Sequence, residues 1–338
     1  MDQPWTDPPA APNDATGRRR GFGSSERFRG IVALFGAIWL LNAGFQFSAW
    51  IWQPRQGEHG GLPGVLTHTV SNAPGWLRPG VLAVQQAVGG IGPQWVALGM
   101  VAIALLLGLS LIFRFGLRAA CWLGIAYSLV CWVTLGGLGY PYGGGQTDPG
   151  VFPAYAIAFV FVLSLVPAIS RPRQAGFGPN DRPTTSVWTV ARLLFGLLWA
   201  FDAALKWDPY FLTHFLDQLT PAVQGQPAWI AAYIGFVIAI VKIVGPMLVA
   251  VVVALVETAI ALSLLTGWWL RLSVPLGFLY SLAVWTTGEG WGGPYSAAGT
   301  GVRGDVLGNV LIYAVIFLFL LPSRARTAER VLADQAAA

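Results

Sequence analysis

Four ionisable residues sit where an apolar chain should carry none. The stretch Val187–Trp207, VWTVARLLFGLLWAFDAALKW, has the length and composition of a membrane span yet holds Arg192, Asp202 and Lys206, and Glu257 interrupts a second apolar run. A charge at mid-membrane costs at least about 2.5 kcal/mol, so each needs a polar site or an ion partner. On a helix, Arg192, Gly196, Trp199, Ala203 and Lys206 fall along one stripe. Asp202 precedes Lys206 by the i, i+4 spacing at which a carboxylate and an ammonium can pair. Asp202 and Glu257 should lie at similar depth beneath the outer ends of their runs. Such a cluster offers two carboxylates that can accept protons and a lysine that can hold an anion or a carbonyl-type oxygen. The alternative is a salt bridge locking two helices together, with Lys206 snorkelling outward.

Histidine adds a second set. His68 and His214 stand in matching Leu-Thr-His triplets, and each suits metal ligation, hydrogen bonding or proton transfer. Neither has an acidic or cysteine ligand at fixed spacing, so a backbone-bonded histidine in an interfacial turn is the competing reading. His59 lies in a Gly-rich loop and reads as solvated. The loops Gly136–Asp148 and Gly288–Asp305 are glycine-rich and share Pro-Tyr, and Trp291, Tyr295, Glu289, Arg303 and Asp305 in the second could cover a cavity or touch a partner. No phosphate-cradling GxxxxGK[ST] follows a strand. Cys121 and Cys131 fall in one expected helix, about 15 Å apart along its axis and too far for a disulfide. With no CxxC or Cys/His cluster, no metal site is expected.

The elements that must position these residues are membrane helices. Of 338 residues, 55% are hydrophobic and only 10% charged, Trp occurs 16 times, and mean hydropathy is +0.61. That composition belongs to an integral membrane protein, all-α, with the lipid bilayer as solvent. The net charge of +5 is explained by arginines flanking apolar runs, which excludes nucleic acid as the partner it would otherwise suggest. Spans are expected near 30–52, 94–114, 119–136, 151–170, 187–207, 247–270, 272–287 and 307–322. Residues 1–28 read as a disordered tail without a cleavable signal, 171–186 as a linker and 323–338 as a C-terminal tail.

The chain also repeats itself. Leu34–Phe47 (LFGAIWLLNAGFQF) matches Leu194–Trp207 (LFGLLWAFDAALKW), pairing Gly36 with Gly196, Trp39 with Trp199, Asn42 with Asp202 and Gln46 with Lys206. Further on, Gly92-Pro93 matches Gly245-Pro246, Arg118 matches Arg271, Tyr127-Ser128-Leu129 matches Tyr280-Ser281-Leu282, and Trp132 matches Trp285. From Trp76 to Tyr142 the register holds without a gap. Two units follow, 29–170 and 187–322. The segment 227–244 is apolar enough to span, but its counterpart 74–91 carries Arg78, Gln85 and Gln86, so both are expected to be interfacial or re-entrant helices on the outer face. Four spans per unit then give eight transmembrane helices in two parallel four-helix repeats. The arginines before the first span, between second and third, between the units and at the end share one side, which places both termini in the cytoplasm and the chain in the cytoplasmic membrane.

With Gly196, Trp199, Asp202 and Lys206 on one helix and Glu257, Gly267 and Arg271 on the next but one, each unit resembles a DoxX/DoxD-type four-helix membrane protein, duplicated here. The second unit fits better, because the first has Asn42, Gln46 and Ala104 in place of Asp, Lys and Glu. The resemblance implies a subunit of a quinone-linked redox system similar to thiosulfate:quinone oxidoreductase, working with partner subunits. It implies a quinone in the outer leaflet, Asp202, Glu257 and Lys206 as catalytic candidates, and Trp199, Lys206, Arg192 and Trp285 as the quinone-binding set. His68, His214, Trp291 and Tyr295 would form an outer-face or partner site. The alternatives are a non-enzymatic scaffold docking a redox complex through its outer loops and a proton-coupled transporter built on the two repeats.

Overall fold

The computed structural model describes residues 24–48, 51, 61–140, 148–169, 185–292 and 307–321. His59, Tyr295, Arg303, Asp305, most of the linker and the C-terminal tail lie outside the described residues. The described chain is a bundle of α-helices joined by short 3-10 turns: α1 (Ser24–Phe47), α2 (Gly61–Asn72), α3 (Arg78–Ile91), α4 (Pro93–Phe113), α5 (Leu117–Thr134), α6 (Val151–Ile169), α7 (Thr185–Lys206), α8 (Pro209–Thr213), α9 (Leu216–Leu219), α10 (Ala228–Val244), α11 (Pro246–Thr266), α12 (Leu270–Thr287) and α13 (Val310–Leu320). Helix α1 begins at Ser24, so Glu26, Arg27 and Phe28 belong to it and not to the expected tail.

Among the described residues five helices are long and apolar enough to cross a bilayer: α1, α4, α5, α7 and α11. The 21 residues of α4 and of α11 extend about 32 Å, the thickness of a hydrocarbon core. Three expected spans fall short of that standard over their described lengths. Helix α6 is apolar over Val151–Pro167, α13 is described for only 11 residues, and α12 has the length of α5 but is diluted by Arg271, Ser273 and Pro275.

Element bounds recur along the chain. Adding 153 to the bounds of α4 and α5 yields those of α11 and α12, and the 3-10 turn Gly137–Gly139 recurs as Gly290–Gly292. The backbone corners recur too. Gly92 (φ 102°, ψ 114°) and Gly245 (φ 105°, ψ 113°) each form a one-residue joint between a short helix and a long one, a conformation open only to glycine. Leu138 (φ 58°) and Trp291 (φ 63°) share a left-handed conformation that costs a side-chain-bearing residue about 1–2 kcal/mol. A one-residue joint leaves no room for an antiparallel hairpin, so α3 and α10 turn away from the long helices they precede. Helix α3 packs mainly on α2, and α10 on the 3-10 turn Thr220–Val223. The outward side of α10 is apolar, with Phe236 and Ile243 exposed.

The strongest packings pair α1 with α4 and α5 with α6 in the first half, and α7 with α11 and α12 with α13 in the second. In lipid the driving force for helix association is close packing, and small residues permit it. A Cβ on Gly36 would stand 2.8 Å from the Gly108 carbonyl oxygen, so α1 and α4 touch backbone to backbone. Gly124 receives the ring of Phe159 and Gly277 that of Phe317 in the same manner. The halves meet at the centre through α6, α7, α1 and α13, where the Phe161 and Phe319 rings stack at 5.8 Å. Arg27, near the start of α1, donates to the Leu318 carbonyl near the end of α13 at 2.5 Å, so both ends of the described bundle share one face.

Candidate functional site

The second half gathers its buried charges on two helices, with a tyrosine from a third. Trp199, Asp202 and Lys206 line one side of α7, buried because that side faces α11, α12 and α13. Lys206 Nζ lies 3.6 Å from Glu257 Oε2 of α11, with only 11% of the lysine side chain and 6% of the glutamate exposed. Across from them, the Tyr280 hydroxyl of α12 donates to Glu257 Oε1 at 2.6 Å. The Lys206 ammonium also sits 5.3 Å from the centre of the Phe211 ring in α8, a cation–π contact that closes its outer side. Among the described residues the ion pair is therefore interhelical, Lys206 with Glu257, and not the Asp202–Lys206 pair that i, i+4 spacing permits.

Asp202 stands beside this pair, 4% exposed, and its Oδ1 has no hydrogen-bond partner within the protein. Trp199 Nε1 is likewise unpartnered, while Glu257 Oε2 has only the ion pair with Lys206 and the Tyr313 hydroxyl faces Asp202. The Trp199 ring is 5.9 Å from Tyr280 and 5.6 Å from Tyr313, so indole and phenols form the walls around the carboxylates. Asp148 contributes from the first half. Its Oδ1 accepts from Gly150 N at 2.7 Å and from Asn309 Nδ2 at 3.1 Å, within electrostatic reach of Asp202 and Glu257. Asp202 and Glu257 thus share Lys206, with Asp148 within electrostatic reach of both carboxylates. A buried group left without its partner costs about 1–3 kcal/mol, so these atoms lower the stability of the bundle unless water or a ligand meets them.

The first half presents the neutral version. Trp39, Asn42 and Gln46 occupy the corresponding positions of α1, and Ala104 faces them where α11 has Glu257. Asn42 Nδ2 donates to the Tyr155 hydroxyl of α6 at 2.6 Å, and Trp39 packs 5.8 Å from Tyr127 and 5.0 Å from Tyr155.

The remaining candidates lie apart from this cluster. Arg192 is about two and a half helical turns further down α7 and donates to the Leu264 carbonyl, at the carboxyl end of α11, where unpaired carbonyls accumulate. Trp285 donates from Nε1 to Leu307 O at 2.7 Å and packs 5.2 Å from Trp291, which in turn meets Trp229 at 5.7 Å. These three tryptophans form a group of their own beside the 3-10 turn Gly290–Gly292. His68 lies against Tyr140, with Nδ1 3.4 Å from its hydroxyl, whereas His214 stacks on Tyr210 at 4.4 Å and approaches Thr213 Oγ1 at 2.8 Å. The two histidines match in sequence and differ in surroundings. Glu289, expected to cover a cavity, caps α13 by accepting from the Asn309 and Val310 amides. Among the described residues no group of His, Cys, Asp and Glu is arranged to hold a metal ion, and Cys121 and Cys131 are free and buried.

Sequence reasoning missed Tyr280, Tyr313 and Asp148. A signal existed for the first, since Tyr127 and Tyr280 head matching Tyr-Ser-Leu triplets. Tyr155 and Tyr313 align only after a five-residue difference in loop length, and Asp148 reaches the site from the other half.

Fold and site together define a multi-helix, largely hydrophobic protein of membrane type with a buried charged cluster in its second half. The chain matches no protein-family model, no curated protein and no solved structure.

Proposed function

We propose that this chain is a duplicated DoxX/DoxD-like membrane subunit of a quinone-linked redox system, and that its second half binds the quinone head. The observation that carries this reading is the Lys206–Glu257–Tyr280 chain beside Asp202 and Trp199. A quinone needs a flat apolar wall, a donor for its carbonyl oxygen and a proton source on reduction. Trp199 supplies the wall. Lys206 and Tyr280 supply donors, and Asp202 and Glu257 hold and pass protons. The quinone itself supplies the two-electron chemistry. The electrons come from a partner subunit.

The recurrence of element bounds and of the Gly92 and Gly245 corners supports two parallel four-helix repeats, with α3 and α10 along the outer surface. Arg27, Arg29, Arg114, Arg118 and Arg271 would then face the cytoplasm, as would both termini. In this arrangement Asp202 and Glu257 sit in the outer leaflet.

The test is thiosulfate-dependent quinone reduction by the protein purified in mild detergent, alone and with co-purifying subunits, comparing wild type with Glu257→Gln. Bound quinone and an activity lost in the variant support the reading. Neither bound quinone nor activity, alone or with partners, removes it.

A scaffold role is the second reading, favoured by the outer tryptophan group, in which Trp229 is 63% exposed. It requires a partner subunit to co-purify from native membranes and to be lost in Trp229→Ala.

A further inference from the structure

The neutral cluster of the first half has the features of a site in its own right. Trp39, Asn42 and Gln46 are 3%, 2% and 4% exposed and lie on one side of α1 at i, i+3 and i+7. Asn42 is tied by its amide nitrogen to Tyr155, which leaves Asn42 Oδ1 without a partner within the protein. Gln46 Oε1 and Trp39 Nε1 are buried and unpartnered as well, and the Tyr127 hydroxyl has only the Cys131 thiol beside it. Trp39 packs on both tyrosine rings, which draws α1, α5 and α6 together beside Asn42, with Gln46 about one turn further along α1. Four buried polar groups of three chemical kinds, on two helices, are more than packing alone leaves over.

We propose that the first half binds a ligand of its own: an uncharged, hydroxyl-bearing head group on an apolar tail, held by Trp39, Asn42, Gln46 and Tyr127. The atoms dictate the class. Two carbonyl oxygens require donors, and an indole N–H requires an acceptor. A hydroxyl does both at one atom, whereas a ketone or an ester offers acceptors only. Among the described residues the site lacks the charges of its counterpart, since Gln46 stands where the second half has Lys206 and Ala104 where it has Glu257. A charged head there would be buried without a counter-charge. The site lies about 8 Å from the end of α1 at Phe47, so a tail can leave between helices into lipid. Two sources share this chemistry, a quinol and a diacylglycerol.

The inference rests on first-half residues alone, so it stands or falls separately from the quinone reading of the second half. The experiment is mass-spectrometric analysis of lipids retained by the full chain, purified from its own membranes in lipid nanodiscs. Wild type should keep one hydroxyl-headed lipid per chain at this site, and the mass separates quinol from diacylglycerol. Asn42→Leu and Gln46→Leu should each lower retention about tenfold, the factor for one ordinary hydrogen bond, while Leu272→Ala on the exposed side of α12 leaves it unchanged. Trp39→Phe keeps the packing and removes only the N–H, so it should weaken retention even if the leucine variants do not fold. In wild type, added short-chain quinol or diacylglycerol should displace the native lipid saturably. Retention equal in wild type and Trp39→Phe, or no hydroxyl-headed lipid in wild type with only ordered water among the four groups, overturns the proposal.

Discussion

Replacing Lys206 by methionine probes the charged cluster most sharply. The substitution keeps the length of the stem and removes the ammonium, leaving Glu257 with Tyr280 alone and Asp202 with no cation within the cluster. Breaking a buried ion pair from one side costs about 3–5 kcal/mol, because the surviving charge stays desolvated. Glu257→Gln costs less, about 1–2 kcal/mol. Tyr280 still finds an amide oxygen there, and the Lys206 ammonium keeps the Phe211 ring and can shift outward along its own stem. The double variant Lys206→Met, Glu257→Gln removes both charges together and should come within about 1–2 kcal/mol of wild type. The cycle is therefore far from additive, with the double variant roughly 3 kcal/mol more stable than the two single changes predict. Thermal unfolding in nanodiscs reads this as a midpoint lowered by roughly 6–10 °C for Lys206→Met and largely restored in the double variant. Additive effects, or a Lys206→Met midpoint equal to wild type, would refute the claim that the pair is buried and coupled.

Other expectations follow from the packing and the backbone. Gly36→Ala should destabilise by about 1–3 kcal/mol, because its Cβ meets a backbone oxygen, while Gly196→Ala, whose nearest neighbours are leucine side-chain atoms at 3.0 Å, should cost less in the same unfolding assay. Gly245→Ala should cost at least about 1 kcal/mol through its φ of 105°, although the nearest atom to its Cβ is 4.0 Å away, which separates conformational strain from crowding. Cysteines placed at Phe115 and Trp268, in matching turns, should label from one side of the membrane with an impermeant maleimide, and those at Trp76 and Trp229 from the other. Native Cys121 and Cys131 should react only after denaturation, and labelling of Phe115 and Trp268 positions from opposite sides would contradict parallel repeats.

Much of this architecture was legible from the chain. Hydropathy alone called for membrane helices, and the match of Leu34–Phe47 with Leu194–Trp207 placed Trp39 opposite Trp199 and Asn42 opposite Asp202. What periodicity could not show was which partner a charge would choose. Asp202 and Lys206 are close on one helix, yet the ammonium goes to Glu257 on another, because α7 and α11 pack closely where Gly196 lets Leu264 and Leu265 approach. Arg192 shared the stripe with Lys206 but sits at the other end of the helix, where the carbonyls at the end of α11 draw it away. The tyrosines escaped notice for a different reason. A phenol in an apolar run reads as an interfacial anchor, and only the three-dimensional meeting of α12 and α13 with α7 shows Tyr280 bonded to a carboxylate and Tyr313 facing another.

The most direct test of the central claim is a density map of the purified protein in native lipid, resolved well enough to show side chains around Lys206. The account predicts a planar ring lying against Trp199, with one oxygen within hydrogen-bond distance of Lys206 or Tyr280, present in wild type and lost in Glu257→Gln. Side chains packed directly against one another there, with Asp202 bonded to Tyr313 and no ligand in either protein, would contradict it and leave the cluster as a lock between α7 and α11.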